Sequence, residues 1–302
     1  MRGARILVLV KRSSYRLYVE EEPDPLIASL IARHDPTVSR LKKSHEDHEE
    51  TKREVRAALT ALGTEAQFVD GPRSRVDGVF DLVVTIGGDG TLLAASHQLG
   101  PETPILGVNS APRHSVGFFC GTRKGSVRKA LDSALRGTMK RATLSRMKVV
   151  LNDVCLHKRV LNDVLFCHSV PAATSRYILS IRSREGGPAR EEEQRSSGIW
   201  VGPAAGSTAA QRSAGGHVLP LTSRRIQYVV REPYTPRGRA LGLAVGTVDQ
   251  SGSIHLRSKM RDAKIYLDGH HIVHDVTMGD VLVMTRSDET LTVLGLGPAR
   301  AK

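Results

Sequence analysis

The first third of the chain alternates short apolar runs with segments of helical period. RILVLV at 5–10 reads as a buried strand, and DPLIASLIARH as a helix capped by Asp24 with Pro25 in its first turn. AQFVD at 66–70, DLVVTI at 81–86 and PILGVN at 104–109 give three further strands, and TLLAASHQLG between the last two gives a helix. Val38, Leu41, His45, His48, Lys52, Val55, Leu59 and Leu62 recur at steps of three and four, the period of one helical face, so one long helix is predicted. Its centre, SHEDHEETKRE, is polar and is expected to cross solvent while both ends pack. Strands alternating with helices imply an α/β domain with a parallel, Rossmann-like sheet, assigned to residues 1–130.

Beyond residue 130 the texture changes. KVVLNDVCLH, RVLNDVLFCH, RYILSIRS, GIWVG, RIQYVV, SIHLR, KIYLDG, DVLVMT and TLTVLGL are short, β-branched and separated by turn-forming or charged residues. Residues 131–302 therefore read as a mostly-β, sandwich-like domain. LNDV occurs at 151–154 and again at 161–164, which reads as a hairpin or coincidence rather than a repeat unit. SREGGPAREEEQRSSG at 183–198 reads as a charged, mobile loop.

A chain of 302 residues can bury two cores. Cys120, Cys155 and Cys167 form no CxxC pair, which argues against a disulfide framework or zinc cluster and favours a reducing, cytoplasmic setting. No apolar stretch approaches the roughly 18 residues of a membrane span, and the apolar part of the first segment is too short for a signal peptide. The excess of 44 basic over 31 acidic residues, +13, predicts attraction to polyanions. Aromatics are only 4% and the arginines are scattered, which argues against nucleic acid, and no segment reads as an amphipathic membrane helix. The expected partners are small anionic molecules.

TIGGDGTLLAASH at 85–97 is where such a molecule would bind. A strand ends there and a helix begins, the place where open parallel sheets hold ligands. Glycines let backbone amides approach a phosphate, and the helix adds its positive end. The pattern is neither GxxxxGK[ST] nor GxGxxG. A carboxylate among phosphate-binding amides repels the ligand unless it takes a proton or holds a cation, so Asp89 points to chemistry on a hydroxyl beside a polyphosphate. AAGSTAAQRSAGG at 204–216 is a second run of small residues, against which flat or charged parts of a ligand can lie. Ser207 has no GxSxG frame, which excludes a serine hydrolase.

GGDGT, the pair Asn162 and Asp163, and SSGIWVGPAAGSTAAQRSAGG together resemble the NAD kinase family, over residues 80 to 290. SSG, AAGSTAA and the QYVVREP of Gln227 to Pro233 resemble its plant-type NADH kinase subgroup in particular. Ser197, Ala205 and Ala210 stand where the commoner type has an Asp, a Ser or Thr, and a Tyr. The resemblance implies an ATP-dependent kinase acting on the adenosine 2′-hydroxyl of NAD or NADH, with Mg²⁺ brought by the nucleotide, and a homo-oligomer, dimer or tetramer. It implies that Asp89 is the catalytic carboxylate and that Gly87, Gly88, Gly90 and Thr91 surround the phosphates. Asn162 and Asp163 match an Asn-Glu pair that binds the ribose and phosphate region. Thr208 and Ala209 match adenine-contacting positions, Ser207 in the same GSTA run is counted with the dinucleotide-binding residues, and Asp268 in YLDGHH matches the carboxylate of a VDG turn. The family commonly ends in a helix returning to its first domain, for which TVLGLGPARAK is too short. No metal cage made by protein alone is evident; DGHHIVHD, with His270, His271 and His274, is better read as lining a polar cleft. The rival readings are a lipid kinase of the diacylglycerol type, which shares GGDG, and a non-catalytic nucleotide- or nucleic-acid-binding module.

Overall fold

In a computed structural model, residues 3–74, 76–183, 188–235 and 241–297 can be described, and they divide into two compact units. Unit 1 comprises residues up to Ala142 together with Leu291–Gly297, and unit 2 runs from Thr143 to Thr290.

Unit 1 carries strands β1 (Ile6–Val10), β2 (Ala66–Asp70), β3 (Leu82–Gly87), β4 (Ile105–Asn109), β5 (Cys120–Arg123) and β6 (Arg141–Leu144). Its helices are α1 (Pro25–Ala32), α2 (Leu41–Ala61), α3 (Asp89–Ser96) and α4 (Val127–Leu135). The sheet order is β2-β1-β3-β4, then the C-terminal strand Leu291–Leu294, then β6, with β5 also pairing β4. The pairs β1–β2, β1–β3, β3–β4 and β4–β5 are parallel. Strands β1, β3 and β4 are buried along their whole length, as unbroken apolar runs are when helices cover both sheet faces. Val55 and Leu59 of α2 and Val127 and Leu131 of α4 pack with Ile6, Val8, Val84 and Ile86 in one core cluster. Each such fully buried side chain contributes roughly 1.5–3 kcal/mol.

Helix α1 begins as predicted, the Asp24 carboxylate accepting the Leu26 amide at 2.8 Å. The expectation for α2 holds only at its C-terminal end, where Val55, Ala58 and Leu59 are buried. Its polar centre is also buried, at Asp47, His48 and Thr51, whereas Leu41 at its N-terminal end is only half-buried and Val38 lies in a separate 3₁₀ turn, Pro36–Val38. Polar groups tolerate burial when hydrogen-bonded; His48 and Thr51 find partners at Ser110 in the segment after β4, and Asp47 pairs with Lys124.

The described residues of unit 2 form twelve strands in two antiparallel sheets. They are β7 (Met147–Leu151), β8 (Val154–Val160), β9 (Val164–His168), β10 (Ser175–Arg182), β11 (Arg190–Ser196), β12 (Ile199–Pro203), β13 (Ile226–Val230), β14 (Val245–Val248), β15 (Ser253–Ser258), β16 (Ala263–Leu267), β17 (Ile272–Val276) and β18 (Val281–Arg286). The orders are β11-β10-β15-β18-β7-β8 and β14-β13-β12-β9-β16-β17. Leu179, Leu256 and Met284 of one sheet share a core with Phe166, Val201 and Ile265 of the other, a sandwich, and Phe166 meets Tyr177 edge-on at 5.5 Å.

Three sequence readings change. Residues 190–196, read as loop, form the edge strand β11, with Glu191, Glu193 and Arg195 alternating against buried Gln194 and Ser196; residues 184–187 lie outside the described part. Helix α4 and strand β6 extend unit 1 past residue 130. The last strand, β19 (Leu291–Leu294), is the strand read from TLTVLGL, but it belongs to unit 1 and pairs β4 in parallel, where the sequence reading placed it in the mostly-β domain.

Candidate active site

In unit 1 the phosphate-turn candidate sits at the carboxyl end of β3, which lies between β1 and β4. Gly88 is the N-cap of α3 and Asp89 its first residue. A Cβ on Gly87 would collide with the Thr91 side chain and one on Gly88 with the Ser115 hydroxyl, so both positions need glycine for close approach. Gly90 differs: it is exposed, and a methyl there meets no protein atom within 4 Å. Thr91 is buried.

The segment 110–119 after β4 wraps this turn. Ser110 donates its amide to the Gly87 carbonyl at 3.1 Å. Asn109 folds the segment, its Nδ2 donating to the Ser115 carbonyl at 3.0 Å. The segment returns to place the Phe118 and Phe119 amides on the two carboxylate oxygens of Asp89, at 2.8 and 2.7 Å. Burial and the Asp89 charge together push the neighbouring Cys120 thiol up to about 12, which keeps it protonated and inert.

In unit 2 the other candidates meet. Asp268, at φ 50°, turns the hairpin between β16 and β17, and Gly269 follows at φ 103°. The Asp268 carboxylate accepts three backbone amides, from Leu161 at 2.8 Å, Asn162 at 2.7 Å and Asp163 at 3.0 Å. The Asp268 amide in turn donates to the Asp163 carbonyl at 2.8 Å. Asp268 therefore fixes the backbone that presents Asn162 and Asp163. Burial first, and then the Asp268 charge, raise the Asp163 carboxyl to about 7. The first LNDV has another fate: Asn152 and Asp153 take φ 45° and 69° in the turn between β7 and β8.

The small-residue run packs onto Asn162. A 3₁₀ turn spans Ala204–Thr208, and α5 (Ala210–Ser213) follows. A Cβ on Gly206 would overlap the Asn162 carbonyl, so this glycine joins the two motifs. Ser207 is fully buried, its hydroxyl donating to the Ala204 carbonyl at 2.8 Å and accepting the Leu219 amide at 2.9 Å. Thr208 and Ala209 are half-buried.

Sequence reasoning missed Gln211. It and Gln227 are both fully buried, the Gln227 Nε2 donating to the Gln211 Oε1 at 3.0 Å. Gln227 Oε1 accepts the His217 amide at 2.7 Å, and Gln211 Nε2 points at the Asn162 carbonyl at 3.4 Å. Glutamines in a small-residue run give no periodic signal; the QYVVREP stretch was the only pointer to one of them.

His45 bonds Ser13 and His48 bonds Ser110, so their rings serve different loops. His270 and His271 rings lie 3.8 Å apart, but Asp275 is paired with Lys264 and the Asp268 carboxylate is spent on amides. No cluster of three metal-binding side chains occurs among the described residues, nor is any described helix long and apolar enough to cross a membrane.

A glycine turn feeding a helix from a parallel sheet, and a β sandwich that knits a small-residue turn to an Asn-Asp pair, define a two-unit nucleotide-binding protein. Residues 5–139 match the ATP-NAD kinase N-terminal domain. A "Probable NADH kinase" of Oryza sativa subsp. japonica is 38% identical over 71% of this chain and 70% of its own. An "NADH kinase" of Arabidopsis thaliana is 36% identical over 70% and 72%. The fold is that of an NAD kinase from Archaeoglobus fulgidus solved in complex with ATP, at a TM-score of 0.67 and 19% identity, over 95% of this chain and 92% of that one. The chain belongs to the NAD kinase family.

Proposed function

We infer that the protein is an ATP-dependent NAD(H) kinase, transferring the γ-phosphoryl group of ATP to the adenosine 2′-hydroxyl of NAD or NADH. Family membership carries this reading, and the single structural observation behind it is the acid at the head of α3 inside a glycine turn.

Phosphoryl transfer has a loose, in-line transition state, so the protein mainly positions the alcohol and neutralises charge. The amides of the turn at Gly88 and Gly90 and the N-terminus of α3 would face the phosphates. Each Asp89 oxygen accepts one amide and keeps a lone pair. It can thus take the hydroxyl proton late in the transfer, worth roughly 10²- to 10⁴-fold. The side chains of unit 2 suit a dinucleotide: Asn162 and Asp163 offer donors and acceptors for ribose hydroxyls, and the small residues at Thr208 and Ala209 leave room for a flat base. Ser207 and Asp268 would act through the backbone they hold. Mg²⁺ would arrive with ATP and offset phosphate charge. The three free cysteines support a reducing compartment.

The test is direct: purified protein with Mg²⁺-ATP and either dinucleotide, with NADP(H) and ADP measured together. Equal amounts of the two products are expected. Phosphorylation of diacylglycerol with neither dinucleotide consumed would overturn the reading.

A further inference from the structure

The buried polar face of α2 has no role in the chemistry above, yet it reaches the phosphate turn from both sides. Strand β3 ends between β1 and β4, and the segments after those strands bond directly to it: the Lys11 amide to the Ile86 carbonyl at 3.0 Å, the Ser110 amide to the Gly87 carbonyl at 3.1 Å. Both segments are held by α2. His45 Nδ1 lies 2.7 Å from the Ser13 hydroxyl, after β1. His48 Nδ1 lies 2.9 Å from the Ser110 hydroxyl, after β4. The Thr51 hydroxyl reaches the Ser110 carbonyl at 3.1 Å. One turn away, Asp47 binds Lys124, whose amide donates to the Asn109 carbonyl at 3.2 Å.

Solvation does not explain this face. His48 is 3% exposed and Thr51 0%, and the His48 ring also bonds the Lys11 backbone, which follows β1. A buried imidazole is retained against its desolvation cost. The return is that two loops 97 residues apart in the chain are set by one rigid helix.

We propose that His45, His48 and Thr51 are positioning residues that bracket the GGDG turn, fixing its amides and Asp89 for the transfer step. This rests on the kinase reading. Burial pushes the His48 imidazole down to about 4, so the ring stays neutral near neutral pH and serves as a hydrogen-bonding wedge. Small misplacements of reacting groups cost up to about 10²-fold in rate, so loosening the bracket should appear in kcat. The dinucleotide-binding candidates lie in unit 2, so NADH affinity should hold.

His48→Leu, which keeps bulk and removes the bond, is compared with His48→Asn, which keeps a polar atom near the Nδ1 position. Expected for His48→Leu are a kcat lower by about 10-fold or more, an NADH dissociation constant by fluorescence within about twofold, and faster amide hydrogen exchange in peptides covering 85–91 and 109–119. His48→Asn should recover most of the rate. Thr51→Val supplies a second, gentler variant with a smaller loss in the same direction should His48→Leu fail to fold. Wild-type kcat and exchange in His48→Leu would overturn the proposal, as would a loss that only follows the folded fraction and is not rescued by Asn. Should the wild-type protein phosphorylate neither dinucleotide, the kinase reading falls. The exchange comparison then decides the bracket alone, unchanged exchange overturning it.

Discussion

The Asp89 carboxylate accepts the Phe119 amide at 2.7 Å, and the Phe118 amide at 2.8 Å on its other oxygen. The residue that sequence logic assigns to proton transfer thus also anchors the segment that wraps the phosphate turn. Asp89→Asn separates the two duties only in part, because its NH₂ would face one of the amides, donor against donor. We expect kcat to fall at least about 10²-fold from loss of the base. Stability should fall by about 1–3 kcal/mol for one orphaned amide, read by denaturant titration, with faster exchange at 117–120. A wild-type rate would remove Asp89 from proton transfer, leaving it an anchor.

Glycines in the two motifs separate by what surrounds them. A methyl on Gly90 meets no protein atom within 4 Å, and Ala in a helix is favoured over Gly by up to about 1 kcal/mol. Gly90→Ala should therefore fold at least as stably as wild type, yet raise the KM for ATP severalfold if amides there face phosphate. Gly206→Ala must push the Asn162 carbonyl aside, and overpacking of that kind costs about 1–3 kcal/mol or more. Melting curves and ATP titrations on both variants check this. An unchanged KM in Gly90→Ala would place the phosphates elsewhere.

The legible part of this molecule was local. Strands β1, β2, β3 and β4 follow from apolar runs, and the phosphate turn from glycines at a strand end, because those signals sit in consecutive residues. What escaped depends on partners far along the chain. His48 meets Ser110 across 62 positions, so helical period alone made the centre of α2 look like a solvent face. Arg190 to Ser196 looked like a loop because its outward residues are charged, hiding an edge strand's alternation. Asp268 was recognisable as a turn acid, but its three amide bonds to residues over 100 positions earlier were not. Gln227 Nε2 donates to Gln211 Oε1 across 16 positions, and that pairing has no periodic signal, although QYVVREP pointed to Gln227 itself.

His48 predicts acid sensitivity with a definite sign. Burial, the largest cause, lowers its pKa from 6.5 to about 4, with nearby Glu49 opposing and Lys11 and Lys52 reinforcing the shift. The unfolded chain binds a proton below pH 6.5 while the fold refuses it. Its contribution is therefore complete above 6.5, drains as pH falls towards 4, and is gone below; the loss is about 3 kcal/mol. His48→Asn cannot titrate, so it should lose less stability than wild type between pH 7 and pH 4.5. Parallel losses, read from denaturant midpoints, would mean that His48 is protonated in the fold.

Asp163 predicts the opposite slope. Burial and the charge of Asp268 raise its pKa from 3.8 to about 7, so the fold holds a proton that the unfolded chain has released. Stability is unaffected by this group below pH 3.8, declines as pH rises towards 7, and carries the full cost above, a few kcal/mol at about 1.4 per unit. Asp163→Asn keeps the shape without the charge. It should be more stable than wild type at pH 8, and the two should converge near pH 4. The same change weakens the dinucleotide site, because an amide offers one acceptor where an ionised carboxylate offers two to ribose hydroxyls. A higher KM for NAD or NADH beside a higher melting temperature at pH 8 is the expected pairing, stability given up for a charged acceptor. If Asp163→Asn melts no higher than wild type at pH 8, the buried carboxylate carries no such cost, and its placement beside Asp268 has been read wrongly.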